Sequence, residues 1–285
     1  MKKPFTPALT LLLIMPLLFS CNSEMQPEQP AGKLYIIGGG SRPESMLNEI
    51  VDISGLRNGG WMYVLPMASE EADRAIIWTR EGFSVTGITA VYGHNFRPGA
   101  EIPEGKIDSI INARCIYIPG GVQGRFMEAV RNTPVADAIH EAYKRGAVIA
   151  GTSAGAAVMS RLMITGDQLK PQSSREGYTT IQPENIELAE GLGLLSDVIV
   201  DQHFIKRQRL NRLVAVAIEN PGQLCAGIDE STAIIIEGNK ATVTGLSQVI
   251  VIKNRKGTFT ADNDLLGATG LELSVYTPGS SFMLR

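Results

Sequence analysis

From Lys33 onward, short apolar runs alternate with longer segments in which apolar positions recur every three or four residues. The short runs are KLYIIGGG (33–40), WMYVLPMAS (61–69), SVTGITAVYG (84–93), CIYIPGG (115–121), AVIAGTSAG (147–155) and DVIVDQH (197–203). Each closes on glycine or a polar residue, and a continuous apolar run bounded in this way predicts a strand buried on both faces. Between them, PESMLNEIVDIS (43–54), EEADRAIIWTREG (70–82), QGRFMEAVRN (123–132) and VADAIHEAYKRG (135–146) have the amphipathic spacing of helices. The alternation predicts an α/β fold, a mostly parallel sheet covered by helices on both faces. Further on, TAIIIEGNKATVTGLSQVIVIKN (232–254) carries β-rich runs around a GNK turn, which predicts C-terminal antiparallel strands in the same domain.

Residues 1–32 follow a different pattern. MKKPFTPALTLLLIMPLLFSC has two lysines, an apolar stretch and a small residue before Cys21, the layout of a secretory signal. Its LFSC ending is similar to the lipobox of bacterial lipoproteins, so residues 1–20 are expected to be a lipoprotein signal and Cys21 the lipidated residue. Residues 21–32, polar and proline-bearing, read as a flexible tether, and residues 33–285 as the domain. The expected setting is therefore an exported lipoprotein of a bacterial cell envelope, held to the membrane through Cys21.

Composition narrows the rest. The 285 residues are 44% hydrophobic and 19% charged, with a formal net charge of −3, which gives no reason to expect a nucleic-acid partner. No cysteine–histidine spacing points to a metal site, and no cofactor is expected. Cys115 and Cys225 lie in apolar runs: an oxidising envelope allows a disulfide between them, and two free buried thiols are the alternative. The run GGGSRP (38–43) has Pro43 where a dinucleotide fingerprint needs its third glycine, so it reads as a glycine-rich turn at the sheet edge.

Candidate chemistry centres on Gly151-Thr152-Ser153-Ala154-Gly155. It matches G-x-S-x-G at a strand-to-helix turn, the setting that lifts a serine hydroxyl into a cleft near the N–H groups of the following helix. A serine nucleophile needs a base. Of three histidines, His140 lies on an amphipathic helix; His94 follows a strand; His203 closes DVIVDQH at a strand's carboxyl end and is the better candidate. Glu176 and Glu230 are both candidates for the carboxylate that orients the imidazole. After His203, DQHFIKRQRLNRL places Arg207, Arg209 and Arg212 in one short predicted helical segment, a candidate anion-recognising surface.

Four segments in this order, IPGGVQ, GTSAGAAVM, VDQHFIKRQRLNRL and GIDEST, resemble the cyanophycinases and their relatives in peptidase family S51. The resemblance covers nearly all of the chain beyond the tether. It implies a class I glutamine amidotransferase-like fold and hydrolysis of aspartate-containing peptides by an acyl-enzyme route. By motif, it implies Ser153 as nucleophile, His203 as base and, through SSRE (173–176), Glu176 as the acid. It further implies oxyanion donors at Gly120, Gly121 and Ala154, and a substrate pocket formed by Gln123, Asp201, Gln202, Arg207, Arg209 and Arg212. The implied substrate is an aspartyl-arginine polymer or β-aspartyl peptide, and the implied assembly is a homodimer. An α-aspartyl dipeptidase and a non-catalytic ligand-capturing surface lipoprotein are the alternatives.

Overall fold

The computed structural model describes Met1 and residues 30–170 and 178–285; Cys21 and Glu176 lie outside the described residues. In chain order the elements are β1 (Lys33–Ile37), α1 (Glu44–Ser54), β2 (Met62–Val64), α2 (Ala72–Ser84), β3 (Val91–Gly93), α3 (Lys106–Ile111), β4 (Cys115–Ile118), α4 (Gln123–Val130), α5 (Pro134–Lys144), β5 (Val148–Thr152) and α6 (Ala154–Ala157). They continue as β6 (Leu162–Gln168), β7 (Ile186–Glu190), β8 (Val198–Gln202), α7 (Leu210–Glu219), β9 (Leu224–Ile228), β10 (Thr232–Glu237), β11 (Lys240–Gly245), β12 (Val249–Lys253), β13 (Thr260–Asp262), β14 (Leu265–Gly267), β15 (Glu272–Tyr276) and β16 (Ser281–Met283).

The main sheet has eight strands in the order β16-β11-β10-β1-β5-β4-β2-β3. Its β1-β5-β4-β2-β3 half is parallel, and β10, β11 and β16 extend it antiparallel, the mixed architecture expected from the pattern. Side chains alternate across each strand. Tyr35 and Ile37 therefore join Leu47, Ile50 and Phe83 on the face covered by α1 and α2. Leu34 and Ile36 join Phe126, Val130 and Ile139 on the face covered by α4 and α5. Local signals set the helix ends: α5 starts with Thr133 accepting from the Val135 N–H and with Pro134 in its first turn.

Three expectations change, and one alternative is decided. DVIVDQH does form a strand, β8, but in a second sheet of order β15-β12-β9-β8, parallel to β9. Ile199 and Cys225 of that sheet pack with Leu213 and Val216 of α7 in a separate core. SVTGITAVYG contributes only Val91–Gly93 as strand, because α2 runs on through Ser84. The glycine-rich turn lies in mid-sheet, since β1 is paired on both sides. Cys115 and Cys225 are free, buried thiols in separate sheets.

Candidate active site

The carboxyl ends of β1, β5, β8 and β9 meet where the two sheets adjoin, and the candidate residues lie in the first turns beyond them. Ser153 follows β5 with φ 55° and ψ −111°, a backbone region that L residues rarely occupy and that clusters at functional sites. Its N–H donates to the Ile37 carbonyl at 3.0 Å, which ties the strained turn to β1. The flanking glycines are steric necessities: a Cβ on Gly151 would overlap the Gly155 carbonyl, and one on Gly155 would overlap the Ile118 carbonyl. Helix α6 spans only Ala154–Ala157. The expected helix behind the serine is thus a single turn, and its first N–H groups matter rather than a macrodipole.

His203 is 8% exposed and also has a positive φ, 48°, held by its N–H on the Gly38 carbonyl at 2.6 Å. Its Nε2 stands 2.9 Å from Ser153 Oγ, and its Nδ1 stands 2.7 Å from Glu230 Oε1. A carboxylate only accepts, so Nδ1 carries the ring proton and Nε2 is left to accept from the serine hydroxyl. Burial lowers the His203 pKa from its ordinary value; the Glu230 hydrogen bond opposes this, while Arg207 and Arg209 repel the imidazolium. The balance keeps the ring neutral near pH 7, the state a general base needs.

Beneath this pair runs the glycine turn that the sequence left without a role. A Cβ on Gly39 would stand 2.5 Å from His203 Nε2, and one on Gly40 would stand 2.7 Å from Glu230 Cβ. The turn is pinned from the far side, because the Ser231 N–H donates to the Gly39 carbonyl at 2.8 Å and Ser231 Oγ to the Ser41 carbonyl at 2.7 Å. Three consecutive glycines directly after a buried strand were the available signal.

Facing the serine, a Cβ on Gly120 would lie 3.8 Å from Ser153 Oγ, so the loop after β4 borders the hydroxyl. The N–H groups of Gly120, Gly121 and Ala154 have no acceptor among the described residues. Gly121 is pressed against Ala68, whose carbonyl accepts from the Val122 N–H at 2.8 Å.

The expected acid, Glu176, lies outside the described residues; the carboxylate on His203 is Glu230. The expected substrate pocket is also corrected in part. Asp201 and Arg212 are each 1% exposed and pair with one another, with Arg212 Nε 2.9 Å from Asp201 Oδ2. Neither is left for a ligand. Gln123 spends its amide protons on the Ile164 and Thr165 carbonyls at 2.9 and 2.5 Å, anchoring β6. Arg209 turns back onto the Gln202 carbonyl at 2.6 Å and its Oε1 at 2.8 Å. Arg207 is exposed and makes no ion pair among the described residues. Arg209 and Arg212 converge on Asp201, with Arg209 Nη1 3.7 Å from Oδ1, whereas Arg207 stays outside, because Gln208 has φ 52° and α7 starts only at Leu210. His140 Nε2 is 2.7 Å from the Leu192 carbonyl. His94 stacks edge-on against Phe96 and lines a different cleft of about 540 Å³ beyond β3.

A strained serine, a neutral imidazole within hydrogen-bond reach and a carboxylate behind it, on an α/β sheet, define a serine hydrolase. Residues 34–244 match the model of peptidase family S51. A cyanophycinase of Nostoc sp. is 30% identical over 283 residues, covering 95% of this chain and 92% of that protein. A cyanophycinase of Synechococcus elongatus is 34% identical over 184 residues, covering 61% of this chain and 54% of that protein. The crystal structure of a peptidase from an acI-B1 actinobacterium superposes with a TM-score of 0.63 at 22% identity, covering 88% of this chain and 96% of that one, a likeness of fold. The chain belongs to peptidase family S51, a family of serine peptidases.

Proposed function

We propose that this peptidase hydrolyses cyanophycin, cutting backbone peptide bonds so that β-aspartyl-arginine dipeptides are released, or hydrolyses related β-aspartyl peptides, through an acyl-enzyme. The observation that carries the reading is the continuous contact from Ser153 Oγ through the His203 ring to Glu230. His203 Nε2 takes the serine proton as Oγ bonds to the scissile carbonyl carbon. The N–H groups of Gly120, Gly121 and Ala154 receive the developing oxyanion. As the C–N bond breaks, the imidazolium returns the proton to the leaving amine. Water, deprotonated by the same nitrogen, then attacks the ester and frees Ser153. Glu230 stays ionised throughout and holds the ring in the required tautomer.

The substrate assignment is supported by the named activity of the relatives and by the exposed Arg207 beside His203. Guanidinium groups suit the carboxylates that such a peptide presents. The intact serine–histidine–glutamate contact favours catalysis over ligand capture. On the pattern of residues 1–21, we place the enzyme outside the cytoplasm with a lipid on Cys21, where it would act on material met outside the cell.

The test is incubation of the purified chain with cyanophycin, β-Asp-Arg and α-Asp-Arg, with products identified by mass. Release of β-Asp-Arg from the polymer, abolished in Ser153→Ala, is expected. Cleavage of α-Asp-Arg with no release of β-Asp-Arg from the polymer would reject this substrate and favour an α-aspartyl dipeptidase. Undiminished turnover by Ser153→Ala would reject the mechanism.

A further inference from the structure

We infer that Asp229 is a positioning residue for the reaction: its carboxylate holds the turn that carries His203 and Arg207, and so keeps the imidazole aligned on Ser153. The inference rests on the serine–histidine–glutamate mechanism proposed above. It adds a second acidic side chain, one that hydrogen-bonds neither the imidazole nor the serine among the described residues.

The turn has no regular element of its own. His203 leaves β8 with φ 48°, Gln208 has φ 52°, and α7 begins only at Leu210. The Arg207 N–H returns to the His203 carbonyl and the Gln208 N–H to the Ile205 carbonyl, each at 3.0 Å. Those bonds close the turn without tying it to the rest of the fold. The N–H groups that reach outside it are those of His203 on the Gly38 carbonyl at 2.6 Å, Phe204 on the Ile228 carbonyl at 3.3 Å, and Lys206 on Asp229 Oδ1 at 2.9 Å. Asp229 alone among the described residues makes such a tie with a side chain, and it does so next to Arg207.

The surroundings of Asp229 fix its aim. It is 8% exposed and makes no ion pair among the described residues. Its Oδ2 accepts from the Ser247 hydroxyl at 2.7 Å, and the Ser247 N–H donates in turn to Oγ1 of the buried Thr232 at 2.8 Å. A carboxylate accepts on both oxygens, so one side can rest on a fixed hydroxyl while the other holds the turn. Burying a carboxylate without a cation is costly, and the two charge-assisted hydrogen bonds offset that cost. Adjacent carboxylates beyond β9 thus grip one turn at two points. Glu230 takes the ring of His203, and Asp229 takes the backbone three residues on.

The rate at which a fluorophosphonate probe labels Ser153 reads the alignment of His203 without any peptide substrate. The full chain should be labelled and Ser153→Ala should not; equal labelling of the two would overturn the mechanism and this inference with it. Asp229→Ala should slow labelling by about 10–100-fold at a temperature well below its Tm. Asp229→Asn keeps an acceptor for the Lys206 N–H and should stay within about threefold of the parent rate. Ser247→Ala releases only Oδ2 and should slow labelling by about three- to tenfold. A purely structural Asp229 would lower Tm and leave the labelling rate of the folded enzyme unchanged. A folded Asp229→Ala labelled at the parent rate, or Asp229→Asn as slow as Asp229→Ala, would overturn the assignment. If Asp229→Ala does not fold, Ser247→Ala decides, and labelling of that variant at the parent rate would overturn it too.

Discussion

Gly39 lies directly under the imidazole of His203, and the ring occupies the space that a side chain on residue 39 would fill. The backbone there has φ 105°, so any other residue meets strain as well as collision. Gly39→Ala should therefore displace His203 from Ser153 and lower kcat/KM by about 100-fold or more. Steady-state kinetics alongside a melting curve will check this; a folded variant with near-normal kcat/KM would show that the ring is free to relocate.

Exchange of the two candidate acids separates the position implied by resemblance from the one in contact. Glu230→Gln should reduce kcat by about 10⁴-fold, since an amide no longer enforces the Nδ1–H tautomer. Glu176→Gln should leave kcat within a few-fold of the parent enzyme. The reverse ranking would return the role to Glu176.

The pH profile of kcat/KM reports the base in the free enzyme. Activity needs neutral His203, so it is present above the imidazole pKa and lost as pH falls through it. Because burial and the two arginines depress that pKa, the acid limb should have its midpoint below the ordinary value of 6.5. Arg207→Ala removes a repelling cation and should move the midpoint upward. Glu230→Gln removes the favourable partner and should move it downward in the residual activity. Shifts of the opposite sign would show that another group governs the limb.

Asp201 and Arg212 are predicted to act on stability first. Arg212→Met leaves a buried carboxylate without its partner and should cost ~3–5 kcal/mol, read by chemical denaturation. The double change Asp201→Leu with Arg212→Met should recover part of that loss, because the buried carboxylate leaves with its main partner, while Arg209, 3.7 Å from Asp201, loses an ion pair. A normally stable Arg212→Met with a raised KM would instead make Arg212 a substrate contact.

Much of the architecture is legible along the chain, because each parallel strand is buried on both faces and reads as an unbroken apolar run. The steric demand around Ser153 is equally local: glycines at 151 and 155 are needed because the following turn and β4 pass within contact distance. The strand end carrying His203 and the helix starts follow from the same short-range patterns. The sequence by itself thus determined the strands and the tight turn that carries the serine. Tertiary structure alone decided that β8 joins a second sheet, that Glu230 lies behind His203, and that Gly39 lies beneath it. It also decided that, of three arginines within six residues, Arg209 and Arg212 turn inward to Asp201 while Arg207 faces out. The reason is physical: periodicity records how each segment is buried, whereas the partner it meets across 27 or 164 residues depends on how whole sheets pack, which no local pattern encodes.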